Sequence, residues 1–292
     1  MALIQNWLPP SRENWELIAW GWQFFPLFTA VQWLISYYPA GKTSIDSRLN
    51  LPGKWAWATM EAPGFLTLLY IMWTLPRELG LERLPWENWT MAALFTIHYL
   101  YRALLYPYLA LSISPIHISV WASAVAWQLL NALSLGGWLG GYGPTTIHDW
   151  AGKLYAIQFG MIVWLWGFLG NVFHDDDLRE IRRAAGRRQA KAAKEAKQQG
   201  KSGKIGEGVD KVYMMPKNGL FKWVLYPHYL CEWIEWAGLW IVGGWDCVPA
   251  RSFLVNEIAT MTPRAVQGWH WYVERFGKEK VGDRKAVIPG IL

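Results

Sequence analysis

The stretch Leu154–His174, LYAIQFGMIVWLWGFLGNVFH, runs for 21 residues without an Asp, Glu, Lys or Arg and stops against Asp175-Asp176-Asp177. A bilayer core takes about 20 apolar residues in a helix, so this run is long enough to cross one. Outward from it the pattern repeats. Leu17–Tyr38 is free of charge, and Ala103–His148 is uncharged throughout, enough for a span with flanking loops. Weaker spans fall at Trp55–Pro76, holding Glu61, Trp89–Tyr101, Trp223–Trp245, holding Glu232 and Glu235, and Phe253–Gly268. The expectation is an all-α polytopic membrane protein of about seven transmembrane helices.

Composition agrees. Apolar residues make up 53% of the chain, charged residues 17%, and 23 residues are Trp, a side chain at home where lipid meets water. Pro9, Pro10 and charged residues precede the first apolar run, so no cleavable signal peptide is expected. Cys231 and Cys247 lie in or beside one span and do not form a disulfide framework.

Charge gives the orientation. Arg179–Lys217 carries twelve Lys/Arg against Glu180, Glu195, Glu207 and Asp210, a local +8 in a chain of net +6. The positive-inside rule puts this segment in the cytoplasm. With seven spans, the basic Lys42–Lys54 loop and the basic C-terminal tail share that side, and the slightly acidic Arg77–Glu87 loop lies opposite. The N-terminus is therefore lumenal and the C-terminus cytoplasmic. The chain 1–292 reads as one membrane domain with a basic cytoplasmic insertion at about 183–210, a solvated helix or disordered loop by composition. Anionic lipid head groups would attract it. It lacks the interleaved aromatics of a nucleic-acid surface, and no obligate protein partner is evident.

Several classes are set aside. There is no P-loop, and no G-x-G-x-x-G between a strand and a helix. The six histidines, at 98, 117, 148, 174, 228 and 270, are too scattered for a membrane di-iron centre, and no metal is expected. Asn88-Trp89-Thr90 fits the glycosylation pattern but abuts a span.

Ionisable groups inside spans are costly, which makes them candidates for function. Glu61 follows Trp55-Ala56-Trp57; in its neutral form it can donate a hydrogen bond, or it can reach interfacial water at a helix end. In His98-Tyr99-Leu100-Tyr101-Arg102, Tyr99 can polarise a carbonyl oxygen without ionising, while the segment also fits an aromatic belt with a snorkelling Arg. Asn171, Asp175, Arg179 and Arg182 fall at i, i+4, i+8 and i+11, one helix face offering an amide, a carboxylate and two guanidiniums for ribose and phosphates. The Asp triplet also has the look of a metal cluster, and a solvated, ion-paired helix extension is the simpler alternative. His228, Glu232 and Glu235, at i, i+4 and i+7 with Trp236 beside them, need partners inside the membrane: a metal, an amide or ribose, or Arg264 of the last span.

Taken together, these stretches resemble the steroid 5α-reductase family of membrane NADPH reductases. The match runs from about Gly41-Lys42 to the C-terminus and is densest over Tyr213–Leu292. It includes Asn218-Gly219-Leu220-Phe221, Pro227-His228-Tyr229-Leu230-Cys231-Glu232-Trp233-Ile234-Glu235-Trp236-Ala237-Gly238, Pro263-Arg264-Ala265, Trp271-Tyr272 and Arg284-Lys285-Ala286-Val287-Ile288-Pro289. The resemblance implies a seven-helix fold in the endoplasmic reticulum membrane with a pocket open to the cytoplasm. It gives Glu61 and Tyr99 the ketone of an enone, and Trp57 a place in the wall of a cavity for a lipid-like substrate. Asn171, Asp175, Arg179, Arg182, Tyr213, His228, Glu232, Trp236, Arg264 and Tyr272 fall at or near the NADPH positions. The chain departs from the pattern at several positions, among them Ile113-Ser114-Pro115, which lacks an Arg found in that loop of some members. His228 stands where steroid reductases usually carry Asn and polyprenal reductases His; Met214 replaces a frequent Arg and Gly268 a frequent His.

The expected reaction is NADPH-dependent reduction of the carbon–carbon double bond of a 3-oxo-4-ene steroid. Polyprenal and very-long-chain enoyl-CoA reduction are the neighbouring alternatives. A membrane lipid or prenyl-cysteine methyltransferase shares a loosely similar C-terminal pattern, and a non-catalytic sterol-binding protein could keep the fold.

Overall fold

The computed structural model describes residues 2–35, 46–198 and 214–292, and they are mostly helical. The helices are α1 (Arg12–Trp22), α2 (Phe25–Thr29), α3 (Gly53–Glu78), α4 (Trp86–Leu100), α5 (Tyr106–Leu109), α6 (Ile118–Gly137), α7 (Leu154–Gln198), α8 (Pro227–Gly243), α9 (Val248–Phe276) and α10 (Lys278–Val281). Strands β1 (Asn50–Leu51) and β2 (Ile116–His117) pair antiparallel at one end of α3 and α6.

The first apolar run departs from expectation. It is not one rod: α1 stops at Trp22, α2 restarts at Phe25, and Ala30–Trp33 is a tighter 3-10 turn. Pro26 explains the break, because it lacks an N–H and its ring collides with the carbonyl four residues back, which is that of Trp22. The third span also runs differently. α4 passes through a π-helical turn, Tyr101–Leu105, into α5, so the helical path continues to Leu109. The wider turn sets the aim of Tyr101 and Arg102, and π turns of this kind gather at functional sites.

Among the described residues, two helices, Ile118–Tyr142 and Leu154–Arg188, are long and apolar enough to cross a membrane. On α7 the exposed residues Tyr155, Phe159, Ile162, Trp166, Leu169 and Phe173 form one stripe at helical spacing, while Ile157, Trp164, Asn171, His174 and Asp175 are buried. Apolar outside and polar inside is the arrangement that lipid favours, and an exposed apolar stripe this long is rare on a soluble surface.

The α7–α8 pair packs backbone to backbone. A Cβ on Gly167 would lie 2.3 Å from the Glu235 nitrogen, and one on Gly238 would lie 2.3 Å from the Trp164 nitrogen. Small residues allow this approach, which draws membrane helices together through dispersion and without a hydrophobic driving force. It also brings the polar faces of the two helices into register. Around them Phe95, Phe253 and Trp236 are fully buried, with Trp236 and Phe253 ring centroids 4.4 Å apart.

α7 continues as helix through the basic stretch to Gln198, so over those residues the helical reading holds. Residues 199–213 lie outside the described part. The first residues of the expected insertion are packed: Arg183 donates to the Leu109 carbonyl at 3.1 Å and Ala185 is buried. After the gap, the tail lies beside the entry to α8. Leu225 and Tyr226 donate to the carbonyls of Lys285 and Ala286, each at 2.9 Å, and Arg284 donates to the Pro216 carbonyl at 3.1 Å.

Asn88 is fully buried and donates to the carbonyls of Leu139 and Pro144, both at 2.8 Å, while accepting from the Trp150 indole at 2.9 Å. Its amide locks a loop and is closed to a glycan. In that loop Thr146 and Asp149 cap each other, and hydrogen bonds from Thr146 and Thr145 hold the Asp149 carboxyl below its ordinary value.

Candidate active site

The α7 face expected at helical spacing forms. Asn171, Asp175 and Arg179 are buried and Arg182 is half-buried along it. Asn171 donates to Glu232 Oε2 at 3.0 Å, tying α7 to α8 across the glycine contact. Asp175 receives Arg102 at 3.4 Å from the π turn. The Arg179 guanidinium lies 5.8 Å from the Tyr101 ring centroid and 5.6 Å from that of Tyr106, and Arg182 donates to the Ser112 carbonyl at 3.3 Å. Three guanidiniums, those of Arg102, Arg179 and Arg182, thus cluster between α7 and the segment after α4.

Asp175, Asp176 and Asp177 point three ways and do not build a metal cluster. Asp175 meets Arg102, Asp176 is exposed and pairs with Arg179 at 3.3 Å, and Asp177 accepts from Asn218. Among the described residues, no group of three or more His, Cys, Asp or Glu is disposed to hold a metal ion.

On α8, Glu232 and Glu235 share a partner that spacing along α8 did not point to. His98, from α4 and 2% exposed, lies with Nδ1 2.8 Å from Glu235 Oε1 and Nε2 3.6 Å from Glu232 Oε1. The imidazole bridging the two carboxylates is therefore His98, while His228 packs against the rings of Tyr226 and Tyr229. Trp236 lies over His98 at 4.5 Å and stacks on Tyr99 at 6.1 Å and 27°.

Glu61 and Tyr99 come together at the opposite end of this polar zone. Glu61, on α3, accepts from Gln128 Nε2 on α6 at 2.7 Å, with Tyr99 of α4 in the same region. One α3 turn earlier, Trp57 donates from its indole to the Arg102 carbonyl at 3.0 Å, with the Arg102 guanidinium 5.1 Å from its ring centroid. Trp57 therefore links the Glu61 region to the guanidinium cluster. Glu257 of α9 is buried, and Arg264 on the same helix is half-buried. Tyr272 is buried on the same helix, near Tyr226. Tyr213 lies outside the described residues.

Four side chains here were not singled out by sequence reasoning: His98, Arg102, Gln128 and Glu257. Glu257 carried a readable signal, being a carboxylate in an apolar run, as Glu61 is. Arg102 was readable as a snorkelling cation, yet the π turn directs it inward. Gln128 carried no signal, since an uncharged amide in an uncharged run looks like many others. Gly268 also acquires a reason: a Cβ there would lie 1.6 Å from the Tyr226 hydroxyl, so the Tyr226 ring excludes a larger residue at 268.

A nicotinamide cofactor can be tested against this arrangement. Asn171 Oδ1, in the amide that donates to Glu232, and the Trp236 indole nitrogen are buried without a hydrogen-bond partner among the described residues. Buried polar groups are normally satisfied, and a polar ligand would supply partners here as it would to other such atoms in the bundle. The Asn171 acceptor, with Arg179 and Arg182 farther along the same helix face, suits a ribose and phosphates.

Comparison with known proteins adds the lineage. A family model described as 3-oxo-5-alpha-steroid 4-dehydrogenase matches residues 204–292. An uncharacterized protein of Schizosaccharomyces pombe, C9.08c, is 33% identical over 87% of this chain and 91% of its own length. The steroid 5-alpha-reductase DET2 of Solanum lycopersicum is 28% identical, covering 91% of each chain. The human 3-oxo-5-alpha-steroid 4-dehydrogenase 1 is 28% identical over 85% of this chain and 84% of its own.

Proposed function

The chain belongs to the steroid 5α-reductase family, an oxidoreductase acting on a carbon–carbon bond, and from that premise we propose that it uses NADPH to reduce the double bond of a 3-oxo-4-ene steroid. The observation that supports this reading is the placement of Glu61, held by Gln128, in the same region as Tyr99, whose ring stacks on Trp236.

Asn171, Asp175, Arg179, Arg182, Tyr213, His228, Glu232, Trp236, Arg264 and Tyr272 would hold the cofactor, which when bound supplies the hydride. As hydride reaches the β-carbon of the enone, negative charge develops on the ketone oxygen. Tyr99 O–H and a protonated Glu61 stabilise that charge in a site of low dielectric, where one good donor contributes about 3 kcal/mol. The enolate so formed would then take a proton from water at its α-carbon, which completes the reduction. Trp57 lines the substrate end, and His98 keeps Glu232 and Glu235 fixed as the two helices meet.

In this reading residues 1–292 act as one seven-helix membrane domain, with the N-terminus lumenal and the C-terminus cytoplasmic. The enzyme works in the endoplasmic reticulum membrane with its cofactor mouth toward the cytoplasm, where the basic stretch after α7 faces anionic lipid. His228 favours a second reading, a polyprenal reductase. NADPH consumption by the purified protein against 3-oxo-4-ene steroids, polyprenals and enoyl-CoAs separates them. Turnover of the steroids alone is expected; turnover of none rejects both readings.

A further inference from the structure

Gln128 is buried on α6, and its Nε2 donates to Glu61 Oε2 at 2.7 Å, while its Oε1 is buried without a partner among the described residues. The helix opposite is shaped to admit it: a Cβ on Gly64 would lie 2.2 Å from Gln128 Oε1. An amide nitrogen has two hydrogens and no acceptor capacity, so Glu61 must present an oxygen lone pair to it. For Glu61 in its acid form, the oxygen that accepts from Gln128 is the carbonyl one, which places the acid proton on Oε1. The amide therefore turns that proton away from itself and leaves it for a further acceptor.

We propose that Gln128 is the positioning residue of the carbonyl-binding site, fixing which oxygen of Glu61 bears the proton that meets the substrate ketone. This rests on the role proposed above for Glu61. Without Gln128, either oxygen of Glu61 can carry the proton, and the wrong form must be left before the enone is bound productively.

The test is steady-state turnover of a 3-oxo-4-ene steroid by the purified full-length protein with NADPH. Gln128→Met, which keeps the volume and removes the donor, should lower kcat by roughly 10- to 100-fold with KM for NADPH unchanged, less than the loss of a direct donor. Gln128→Glu, of the same shape but carrying oxygen in place of N–H, should lose at least as much. Gly64→Ala keeps Gln128 in the chain but displaces its amide. It should lower kcat in the parent and have no further effect in a Gln128→Ala background, a non-additivity that packing alone would not produce. Glu61→Gln and Tyr99→Phe are run beside them. If those two lose activity while Gln128→Met and Gly64→Ala keep the parent kcat, the positioning role is wrong and the carbonyl-binding reading stands. If Glu61→Gln and Tyr99→Phe keep full activity, both fall.

Discussion

Glu61 and Tyr99 sit at one end of a polar zone and His98 near its middle, so substitutions at these places should fail in different ways. Glu61→Gln and Tyr99→Phe should each cut turnover of an enone by about 100-fold or more, the scale for losing one donor to a developing oxyanion. NADPH binding, read by quenching of intrinsic Trp fluorescence, should be nearly unchanged. His98→Leu should act on the fold itself. It leaves Glu232 and Glu235 buried without the imidazole between them, and removing one member of a buried polar set costs on the order of 3 kcal/mol. Thermal unfolding in detergent should fall accordingly, and NADPH affinity with it. Sequence could find Glu61, Glu232 and Glu235, because a carboxylate in an apolar run stands out. It could not find that His98 rather than His228 bridges the last two, since that pairing joins residues 137 positions apart. Spacing along one helix records only neighbours on that helix.

Among the helices, the α7–α8 contact should be the least tolerant. Gly238→Val would drive a side chain into the Trp164 backbone, part the two helices and break the Asn171–Glu232 hydrogen bond. Loss of NADPH binding is expected even where some helical protein survives, by circular dichroism. Gly21→Ala is the control. Among the described residues, its own helix backbone aside, no atom lies within 4 Å of a Cβ there, so stability should stay within about 0.5 kcal/mol of the parent. Farther along α7, Arg187, Arg188, Lys191 and Lys194 are exposed, and Gln at all four should leave turnover within about twofold. Cutting back to Arg182 should not be harmless, since Arg182 and Arg183 bind the carbonyls of Ser112 and Leu109. Helix positions were mostly legible from run length. The break before Pro26 was written in the sequence too, but a count of uncharged residues passes over a proline, and the length of α4 was hidden because a π turn has no composition of its own.

For the molecule as a whole, orientation can be read with thiols. Cys231 and Cys247 are both buried and free, so the parent offers little background to a membrane-impermeant maleimide. In sealed microsomes with the cytoplasmic side outward, Lys194→Cys should label at once, and Glu82→Cys only after permeabilisation. Labelling of both without permeabilisation would overturn the orientation proposed from the basic loops. At this scale the mostly helical, apolar character was open to sequence, because lipid imposes one rule on every helix that faces it, while the orientation is what the labelling decides.

The glycine seam between α7 and α8 has one more consequence, for how this protein could diverge. Backbone pressed on backbone leaves no slack there, so the half that would carry the cofactor is nearly frozen against change. The substrate half is bounded instead by side chains on α3, α6 and the start of α9, where a residue such as Glu257 can be exchanged without parting the seam. A laboratory seeking new substrates for this scaffold would randomise positions there, sparing Glu61, Gln128 and the Arg264–Tyr272 end of α9, and leave the seam untouched.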